Sequence, residues 1–287
     1  MSELASQREF VYGERDFLRV ARMIHLRAGI ALSDSKQDMV YSRLAKRLRA
    51  TGMGNFADYL DRLESDPQAP EWEAFTNALT TNLTAFFREP HHFVKLAAWL
   101  PTRRSASAPI RIWCAAASTG EEPYSIAMTV ASVFGSSRRA VEIVATDLDT
   151  TVLQTARQAV YPLERVEKLS ADQRRSYFQR GQGSRQGYCR IKPQIQSLVE
   201  FQQLNLLSAS WPLAGSFDAI FCRNVMIYFD KPTQRRILER FRPLLREGGL
   251  MFAGHSETFT HAADLFRNLG QTVYAPLPLA ASRDVAA

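Results

Sequence analysis

The chain has 287 residues, of which 46% are hydrophobic and 10% aromatic, and it carries a formal net charge of +7. This composition is typical of a globular protein with a sizeable core, and the length allows two domains. No uninterrupted apolar run approaches the roughly 20 residues that cross a bilayer, so membrane insertion is not expected. The positive charge favours an anionic partner, such as nucleic acid, a membrane surface or an acidic protein, without choosing among them.

Targeting and redox features indicate a reducing compartment. The first ten residues, MSELASQREF, lack the basic start and the apolar segment of a signal peptide. Cys114, Cys189 and Cys222 are far apart and form no CxxC pair, which predicts neither a disulfide framework nor a thiolate metal site. We therefore expect a cytoplasmic protein without a bound metal.

The first third of the chain is predicted to be helical, and we assign residues 1–92 to an all-α N-terminal domain. A stretch over residues 101–109, rich in Ser, Arg and Ala, is interpreted as a linker. Apolar residues recur at helical spacing in four segments, over residues 14–28, 36–50, 55–64 and 71–82.

From residue 110 onward, predicted strands and helices alternate. This pattern favours an α/β fold with a mostly parallel, doubly wound sheet, which we place in a second domain over residues 93–287. Strands are predicted over residues 110–116, 141–146, 199–204, 217–222, 250–253 and 271–275, and helices over 122–134, 149–159, 232–245 and about 258–269.

Residues 161–198, called the insert below, interrupt this alternation. The segment contains three glycines and then Tyr188–Lys192, in which apolar and polar residues alternate as in an edge strand. We predict a small helix with a β-hairpin or meander here.

Residues 111–125, RIWCAAASTGEEPYS, predict a strand, a turn of small residues and a helix that opens with two glutamates. A second apolar run ends on Asp147, where nucleoside-binding sheets place a carboxylate for the ribose diol. The turn lacks the glycines that let a pyrophosphate approach the backbone, and Glu121 and Glu122 would repel one. The same carboxylates could bind an ammonium group. A nucleoside that carries an amino acid, S-adenosylmethionine, satisfies both conditions, and an ordinary strand-turn-helix without a ligand is the alternative.

Three further segments bring polar side chains toward this turn. Each could also be an ordinary end of a helix or strand, although parallel strands deliver such residues to one ligand-binding edge. The segments are TTNLTAFFREP (residues 80–90, with Asn82, Thr84 and Arg88), FQQLNL (residues 201–206, with Asn205) and FDAIFCRNVMIYF (residues 217–229, with Arg223, Asn224 and Tyr228).

In order and spacing, the motifs TTNLTAFFRE, WCAAASTGEEPYS, ATDLD and FDAIFCRNVMIYFD resemble those of the bacterial chemotaxis receptor methyltransferases. These are protein-glutamate O-methyltransferases that depend on S-adenosylmethionine. The resemblance covers the chain up to Pro276. It implies a class I methyltransferase fold, S-adenosylhomocysteine as the second product, and methyl esters on receptor glutamates as the basis of adaptation in chemotaxis signalling.

The resemblance also implies a cofactor pocket. Glu122, in preference to its neighbour Glu121, would bind the methionine ammonium, and Asp147 would bind the ribose hydroxyls. The other residues that match cofactor-binding positions are Asn82, Thr84, Arg88, Asn205, Leu206, Arg223 and Asn224, of which Asn205 and Leu206 match the adenine site.

Arg88, Arg223 and Tyr228 match positions near the transferred methyl and are the predicted catalytic residues. A glutamate side chain has a pKa of about 4.3, so at neutral pH this nucleophile is already ionised and needs no general base. It needs alignment with the methyl group and removal of its water shell. We therefore expect the two arginines to orient the substrate. The histidines nearest in sequence, His91, His92 and His255, are expected to be structural.

The implied partner is the cytoplasmic helical domain of methyl-accepting chemotaxis receptors. In this family the N-terminal helices approach acidic receptor helices, and a solvated charged helix is the plain alternative. In some relatives the insert binds a receptor C-terminal peptide by strand addition, and the sequence leaves open whether this chain does so. The predicted docking surface is the basic helix that carries Arg43, Lys46, Arg47 and Arg49.

Two other functions compete with this interpretation. An RNA-base methyltransferase would fit the positive charge, but enzymes that methylate base amines usually carry an Asn/Asp-Pro-Pro-aromatic turn where this chain has Cys222-Arg-Asn-Val-Met226. No run of interleaved aromatic and basic residues predicts a single-strand binder, so nucleic acid is not the expected partner. A non-enzymatic adaptor that only senses the cofactor is the second competitor.

Overall fold

The computed structural model describes residues 8–103, 109–135 and 141–278. By its internal contacts the chain divides into two compact units, Met1–Thr81 with Tyr228–Asp230, and Asn82–Ile227 with Lys231–Ala287. The domain boundary expected at residue 92 lies within a helix of the second unit, and residues 104–108 of the expected linker lie outside the described residues. Across the described ranges, no helix combines the length and the apolar character that crossing a membrane requires.

The first unit is helical, and its four predicted helices are confirmed to within a few residues at each end. Gly29 and Gly52 adopt left-handed backbone conformations, with φ of 70° and 69°, and end the first two helices. The Asn55 side chain accepts a hydrogen bond from the Asp58 N–H at 2.8 Å and caps the third. The helices are α1 (Glu14–Ala28), α2 (Gln37–Thr51), α3 (Phe56–Ser65) and α4 (Glu71–Leu79).

The second unit alternates helices and strands, as predicted. Its helices are α5 (His91–Trp99), α6 (Glu121–Phe134), α7 (Thr150–Gln158), α8 (Ala171–Tyr177), α9 (Pro193–Gln196) and α10 (Lys231–Leu244). Its strands are β1 (Ile110–Cys114), β2 (Val141–Asp147), β3 (Val160–Pro162), β4 (Phe178–Arg180), β5 (Tyr188–Ile191), β6 (Val199–Gln203), β7 (Phe217–Cys222), β8 (Leu245–Ala253), β9 (Phe266–Asn268) and β10 (Val273–Pro276).

The large sheet has the strand order β6-β2-β1-β7-β8-β10-β9. The first five strands in this order are parallel, and β10 and β9 extend the sheet in antiparallel fashion. Side chains of β1 alternate between two packed faces: Ile112 joins a core that includes Phe93 of α5 and Met128 of α6, whereas Trp113 meets Phe241 of α10 with ring centroids 5.0 Å apart. Helices therefore cover both faces, and the predicted doubly wound, mostly parallel fold is confirmed.

The insert folds as an antiparallel sheet of order β3-β5-β4, with α8 between its first two strands along the chain. The predicted small helix and β-hairpin are confirmed as α8 and the β4–β5 pair, but the edge-like alternation of Tyr188–Lys192 misled, since β5 is the central strand. The alternation there reports which face is buried, with Cys189 and Ile191 inside and Tyr188 and Arg190 exposed. It carries no information about how many neighbours a strand has.

The predicted helix over residues 258–269 is also wrong. Thr260–Ala262 forms one short 3-10 turn, and β9 then pairs with β10 across a tight turn in which Gln271 and Thr272 have φ of 51° and 55°. Local apolar spacing favoured a helix, but pairing with β10 satisfies the same backbone groups in the sheet.

Candidate active site

The turn after β1 is held at the carboxyl edge of the large sheet. The Ala115 N–H donates to the Phe221 carbonyl at 2.8 Å, and the Ala117 N–H donates to the Thr146 carbonyl at 2.9 Å, so the turn is tied to β7 and β2. Gly120 has a φ of 99°, and a Cβ atom there would lie 2.7 Å from the Tyr161 hydroxyl. Glycine is therefore required at this position, and the chain enters α6 with Glu121 and Glu122 both buried.

Asp147 ends β2 beside this turn. One carboxylate oxygen accepts the Ser118 N–H at 2.8 Å and the other accepts the Asp149 N–H at 2.9 Å. Burial raises the pKa of Asp147 to about 6, although these backbone hydrogen bonds oppose the rise. Each oxygen can accept a further hydrogen bond, and the residue is only partly buried. The carboxylate is thus oriented and still able to accept from a vicinal diol, as the ribose of S-adenosylmethionine requires.

Glu122 and Arg223 form a buried ion pair with an N···O distance of 2.6 Å, and the Arg223 side chain is fully buried. Arg223 also lies 3.3 Å from a carboxylate oxygen of Glu89 and donates to the main-chain carbonyl of Arg88. Burial raises the pKa of Glu122, and the Arg223 guanidinium offsets part of that rise. Two carboxyl groups face one guanidinium, so the cluster carries an excess negative charge when both are ionised, which suits a ligand ammonium.

Glu89 is a member of this cluster that the sequence analysis missed. Its second carboxylate oxygen lies 3.3 Å from both the Asn224 amide nitrogen and His255 Nδ1. Burial acts to raise the pKa of Glu89, yet the Arg223 guanidinium, the His255 main chain and the Asn224 amide hold it below its usual value. Its place directly after Arg88 in the motif was the available signal. Glu89 thereby connects the 80–90 segment to the loop after β7.

His92 is fully buried beside Glu89. Its Nε2 lies 2.9 Å from the Gln271 carbonyl, and its Nδ1 lies 3.5 Å from Glu89. Burial, and secondarily Arg223, lowers the pKa of His92 to about 4, so the ring is neutral at physiological pH and Nε2 donates. Potential ligand atoms of Glu89, His91 and His92 lie within 4.8 Å of one another. The guanidinium beside Glu89 opposes a metal cation there.

Glu257, also missed, holds the loop that follows β7. Its carboxylate accepts the main-chain N–H groups of Gly254 at 2.5 Å, Asn224 at 2.9 Å and Met226 at 2.8 Å. Burial raises the pKa of this nearly inaccessible carboxyl, and the three hydrogen bonds oppose the rise. A Cβ atom at Gly254 would collide with the Asn224 amide. The loop carrying Arg223 and Asn224 is therefore positioned by a residue at the end of the neighbouring strand.

The 80–90 segment is fastened to the same edge. The Asn82 amide donates to Asp149 at 2.8 Å, and the Asn82 carbonyl accepts from the Ser118 hydroxyl at 3.1 Å. The Thr84 carbonyl accepts from Arg165 of the insert at 3.2 Å, and Arg165 also lies 3.4 Å from Glu121. The sequence analysis did not identify Arg165, because no local pattern marks an arginine that bridges two distant segments.

The remaining predicted residues differ in how the structure places them. The Arg88 guanidinium donates to the Leu83 carbonyl at 2.8 Å, so its main chain rather than its side chain meets Arg223. The Asn205 side chain accepts the Leu207 N–H at 2.9 Å, and Leu206 is buried. The Leu204 N–H donates to the Asp147 carbonyl at 2.9 Å, which keeps this segment beside β2.

Tyr228 belongs to the helical unit by its contacts, and its carbonyl accepts the Ala31 N–H at 2.9 Å. Contacts within the second unit bring together one group of predicted residues, Glu122, Arg223, Asn224 and the Arg88 main chain. A second set of hydrogen bonds connects Asp147 to Asn82 through Ser118 and Asp149. The catalytic role of Tyr228 stays a prediction.

Comparison with known proteins identifies the family. The all-alpha domain of the CheR methyltransferases matches residues 15–80, and their SAM binding domain matches residues 82–275. The chain is 54% identical over 275 residues to chemotaxis protein methyltransferase 2 of Pseudomonas aeruginosa, covering 96% of this chain and 98% of that protein. It is 52% identical over 259 residues to the chemotaxis protein methyltransferase of Escherichia coli K12, covering 90% of each. The predicted family is confirmed, and the chain belongs to the S-adenosylmethionine-dependent CheR methyltransferases.

Proposed function

We propose that this protein transfers the methyl group of S-adenosylmethionine to glutamate side chains of chemotaxis receptors and so forms methyl esters during adaptation. The observation that carries the proposal is the pairing of two features at one sheet edge. Asp147 is an oriented diol acceptor, and the Glu122–Arg223–Glu89 cluster at the same edge sets two carboxyl groups against one guanidinium.

When bound, S-adenosylmethionine supplies an electrophilic methyl on a sulfonium sulfur. Asp147 holds the ribose hydroxyls, Glu122 binds the methionine ammonium, and Arg223 holds Glu122 in place and favours its ionised form. The adenine site is formed by Asn205 and Leu206. Asn82 and Thr84 line the pocket from the 80–90 segment, and Asn224 completes it from the loop after β7.

The substrate carboxylate attacks in its ionised form, so no protein group has to accept a proton. The buried histidine of this region fits that conclusion, because His92 is neutral and its Nε2 is engaged by the Gln271 carbonyl. Arg88 has N–H donors beyond the one used by the Leu83 carbonyl, and these orient the incoming carboxylate. Arg223 and Tyr228 complete the catalytic set.

In this proposal the predicted N-terminal domain, residues 1–92, faces the receptor, and its last residues, from Asn82 onward, join residues 93–287 in carrying out the transfer in the cytoplasm. The three cysteines are free and buried, as a reducing compartment allows. A receptor C-terminal peptide could add a strand to the sheet of the insert, whose strand order leaves an outer edge on β3 and on β4.

The docking role of α2 receives less support. Arg43 donates to the Ala78 and Thr80 carbonyls, Arg47 pairs with Glu71 at 2.8 Å, and Arg49 pairs with Glu9 at 2.6 Å. These three cations already have partners within the helical unit. Lys46 is exposed and keeps its charge available to an acidic receptor helix.

The proposal is tested by incubating the protein with methyl-labelled S-adenosylmethionine and a receptor cytoplasmic fragment, followed by mild alkali. Label released as volatile methanol is the expected result, because carboxyl methyl esters hydrolyse under these conditions. Label that survives alkali would point to methylated nitrogen, sulfur or ether oxygen, as in the RNA-base alternative. Intact cofactor binding without transfer would favour the adaptor.

A further inference from the structure

The loop between β6 and β7 is formed by residues 204–216, all of which the structure describes, and it contains no helix or strand. It carries Asn205 and Leu206, which match the adenine site. Within the loop, Asn205 Oδ1 accepts the Leu207 N–H at 2.9 Å, so the amide group is fixed relative to the loop itself. The direction in which this amide faces therefore depends on what holds the loop.

Arg240 of α10 donates to main-chain carbonyls of this loop. One terminal nitrogen lies 3.3 Å from the Leu206 carbonyl oxygen and 2.7 Å from that of Ser208, and the other lies 3.4 Å from that of Ala209. A guanidinium presents several N–H donors in one rigid plane, so it can serve several acceptors at once. The part of the loop that follows Asn205 is thus closed around one side chain.

The same guanidinium lies over the indole ring of Trp211, with its central carbon 3.7 Å from the ring centroid. Trp211 packs in turn against Trp113 of β1 and Phe241 of α10, with ring centroids 5.3 and 5.4 Å apart, and those two rings lie 5.0 Å from each other. The aromatic rings anchor loop and helix to the sheet, and the cation–π contact orients the guanidinium plane. Arg240 therefore meets the carbonyls from a fixed position.

The contacts of Arg240 differ from those of another arginine on the same helix. Arg235 pairs with Asp264 at 2.5 Å and with Glu239 at 2.8 Å. In the described part of the chain, no carboxylate lies within ion-pair distance of Arg240, and burial lowers the pKa of its guanidinium. Its N–H groups are committed to the loop main chain, so its role is to hold that main chain rather than to balance a charge.

From these contacts we infer that Arg240 is a positioning residue for the adenine site. By holding three carbonyls of the loop, it directs the Asn205 amide toward the edge of the base. The inference rests on the proposed function, since the adenine of S-adenosylmethionine is the group that this loop would bind. Asp147 and Glu122 lie on other elements, so Arg240 affects recognition of the base more than binding of the ribose or the amino acid.

The far end of the loop is held in a similar way by another arginine. Arg111 of β1 donates to the Ala214 and Ser216 carbonyls at 2.5 and 3.3 Å and lies over the Phe217 ring, 4.7 Å from its centroid. Its removal should loosen the end of the loop that is remote from Asn205. Arg111→Met is therefore a matched control, which removes a guanidinium from the same loop but not from its adenine end.

The first experiment measures the affinities for S-adenosylhomocysteine and S-inosylhomocysteine, which differ in the hydrogen-bonding edge of the base. The parent should prefer the adenine ligand by about tenfold, as expected for one directed hydrogen bond. In Arg240→Met the dissociation constant of S-adenosylhomocysteine should rise by about tenfold, and that of S-inosylhomocysteine by less than about threefold. Calorimetry measures both constants on one sample. An unfolded fraction would raise both equally, so their ratio reports the site alone.

Arg240→Lys separates the carbonyl contacts from the charge. Lysine keeps the charge and the aliphatic stem but lacks the planar fork, so this variant should also lose the preference for adenine. Retained preference in either Arg240 variant would overturn the inference and leave Arg240 a stabilising residue. Loss of preference in Arg111→Met would overturn it as well, because the effect would then follow the loop as a whole.

The second experiment follows main-chain hydrogen exchange without cofactor. The Leu207 and Ser208 N–H groups both donate to Asn205, at 2.9 and 3.0 Å. Arg240→Met should speed their exchange by about tenfold, whereas Arg111→Met should leave it nearly unchanged. Unchanged exchange in Arg240→Met would contradict the inference, because the loop would then keep its shape without the guanidinium.

The two proposals fail separately. Methanol-releasing transfer by the parent, with adenine preference retained in the Arg240 variants, would leave the enzymatic function intact and remove the inference. Altered base preference in these variants without any methyl ester would do the reverse. A parent that binds the two nucleosides equally would refute the adenine site at this loop, and the inference with it.

Discussion

Charged side chains at the carboxyl edge of the large sheet and on the insert are used in opposite ways. At the edge, Arg223 is fully buried and contacts two carboxylates, and Glu257 accepts three main-chain hydrogen bonds. On the insert, cations such as Arg185 and Arg190 are exposed and unpaired among the described residues. Buried, partnered charges determine the geometry of a site, whereas exposed, unpaired charges affect encounter with a partner and cost little to remove.

The largest effect is expected for Arg223→Met. Removing this guanidinium leaves Glu122 and Glu89 buried without their shared cation, so the free energy of unfolding should fall by about 3–5 kcal/mol. Urea denaturation measures the loss. Adding Glu122→Gln should recover part of it, since one of the two uncompensated charges is then removed. A loss below about 1 kcal/mol would contradict the view that this edge is held by paired charges.

Asp147→Ala tests the diol acceptor. Loss of a charge-assisted pair of hydrogen bonds should cost about 2–4 kcal/mol, which is roughly 30- to 1000-fold in affinity for S-adenosylmethionine. Titration calorimetry measures the change, with Asp172→Ala on the insert as the control that removes an exposed carboxylate. A change smaller than about threefold would mean that Asp147 does not bind the ribose.

Arg88→Ala separates a substrate contact from a cofactor contact. One charge-assisted hydrogen bond contributes about 1.5–3 kcal/mol, so kcat should fall by about 10- to 150-fold. The dissociation constant of S-adenosylmethionine should change much less, because the Arg88 side chain is turned to the Leu83 carbonyl and not to the buried cluster. Single-turnover experiments measure the transfer rate of this variant, and calorimetry measures its affinity for S-adenosylmethionine. A larger loss of cofactor affinity than of transfer rate would make Arg88 a cofactor residue only.

The pH dependence of cofactor binding follows from the raised pKa of Asp147, about 6. Above this pKa the carboxylate is ionised and accepts the diol. As the pH falls below it, the native site becomes protonated, and affinity should drop by up to about tenfold per pH unit. Asp147→Asn should remove this dependence, which distinguishes Asp147 from other groups that titrate in the same range. A profile that is unchanged in the variant would assign the titration elsewhere.

The smallest effect on stability is expected on the insert. The triple substitution Arg174→Gln, Arg185→Gln and Arg190→Gln should change the free energy of unfolding by less than about 0.5 kcal/mol, as is usual for surface substitutions. Arg47→Gln is the contrasting change, because Arg47 donates twice to a largely buried Glu71. It should cost about 1–2 kcal/mol. Comparable losses in both variants would mean that the insert cations have structural partners.

Local patterns were sufficient to predict the strand, turn and helix that lead to Glu122, as well as the carboxylate at Asp147, because each depends on a few consecutive residues. Glu89 and Glu257 were missed because their partners, Asn224 among them, lie 135 and 33 residues away in the chain. The same limit explains why α2 was predicted to present free basic side chains. The carboxylates that pair with Arg47 and Arg49 lie 24 and 40 residues away in the chain, so no local pattern indicates them. Distant pairing also replaced the helix expected over residues 258–269 with a hairpin.

The contact between Cys114 and Glu122 bears on the chemical fidelity of the enzyme. The Cys114 thiol is buried and donates to the Glu122 carboxylate with an S···O distance of 3.4 Å. Burial, and secondarily the charge of Glu122, raises the pKa of this thiol well above its usual value. A thiolate attacks a methyl donor far more readily than a thiol does. Burial, assisted by the residue proposed to bind the cofactor ammonium, thus keeps this sulfur in its protonated, weakly nucleophilic form.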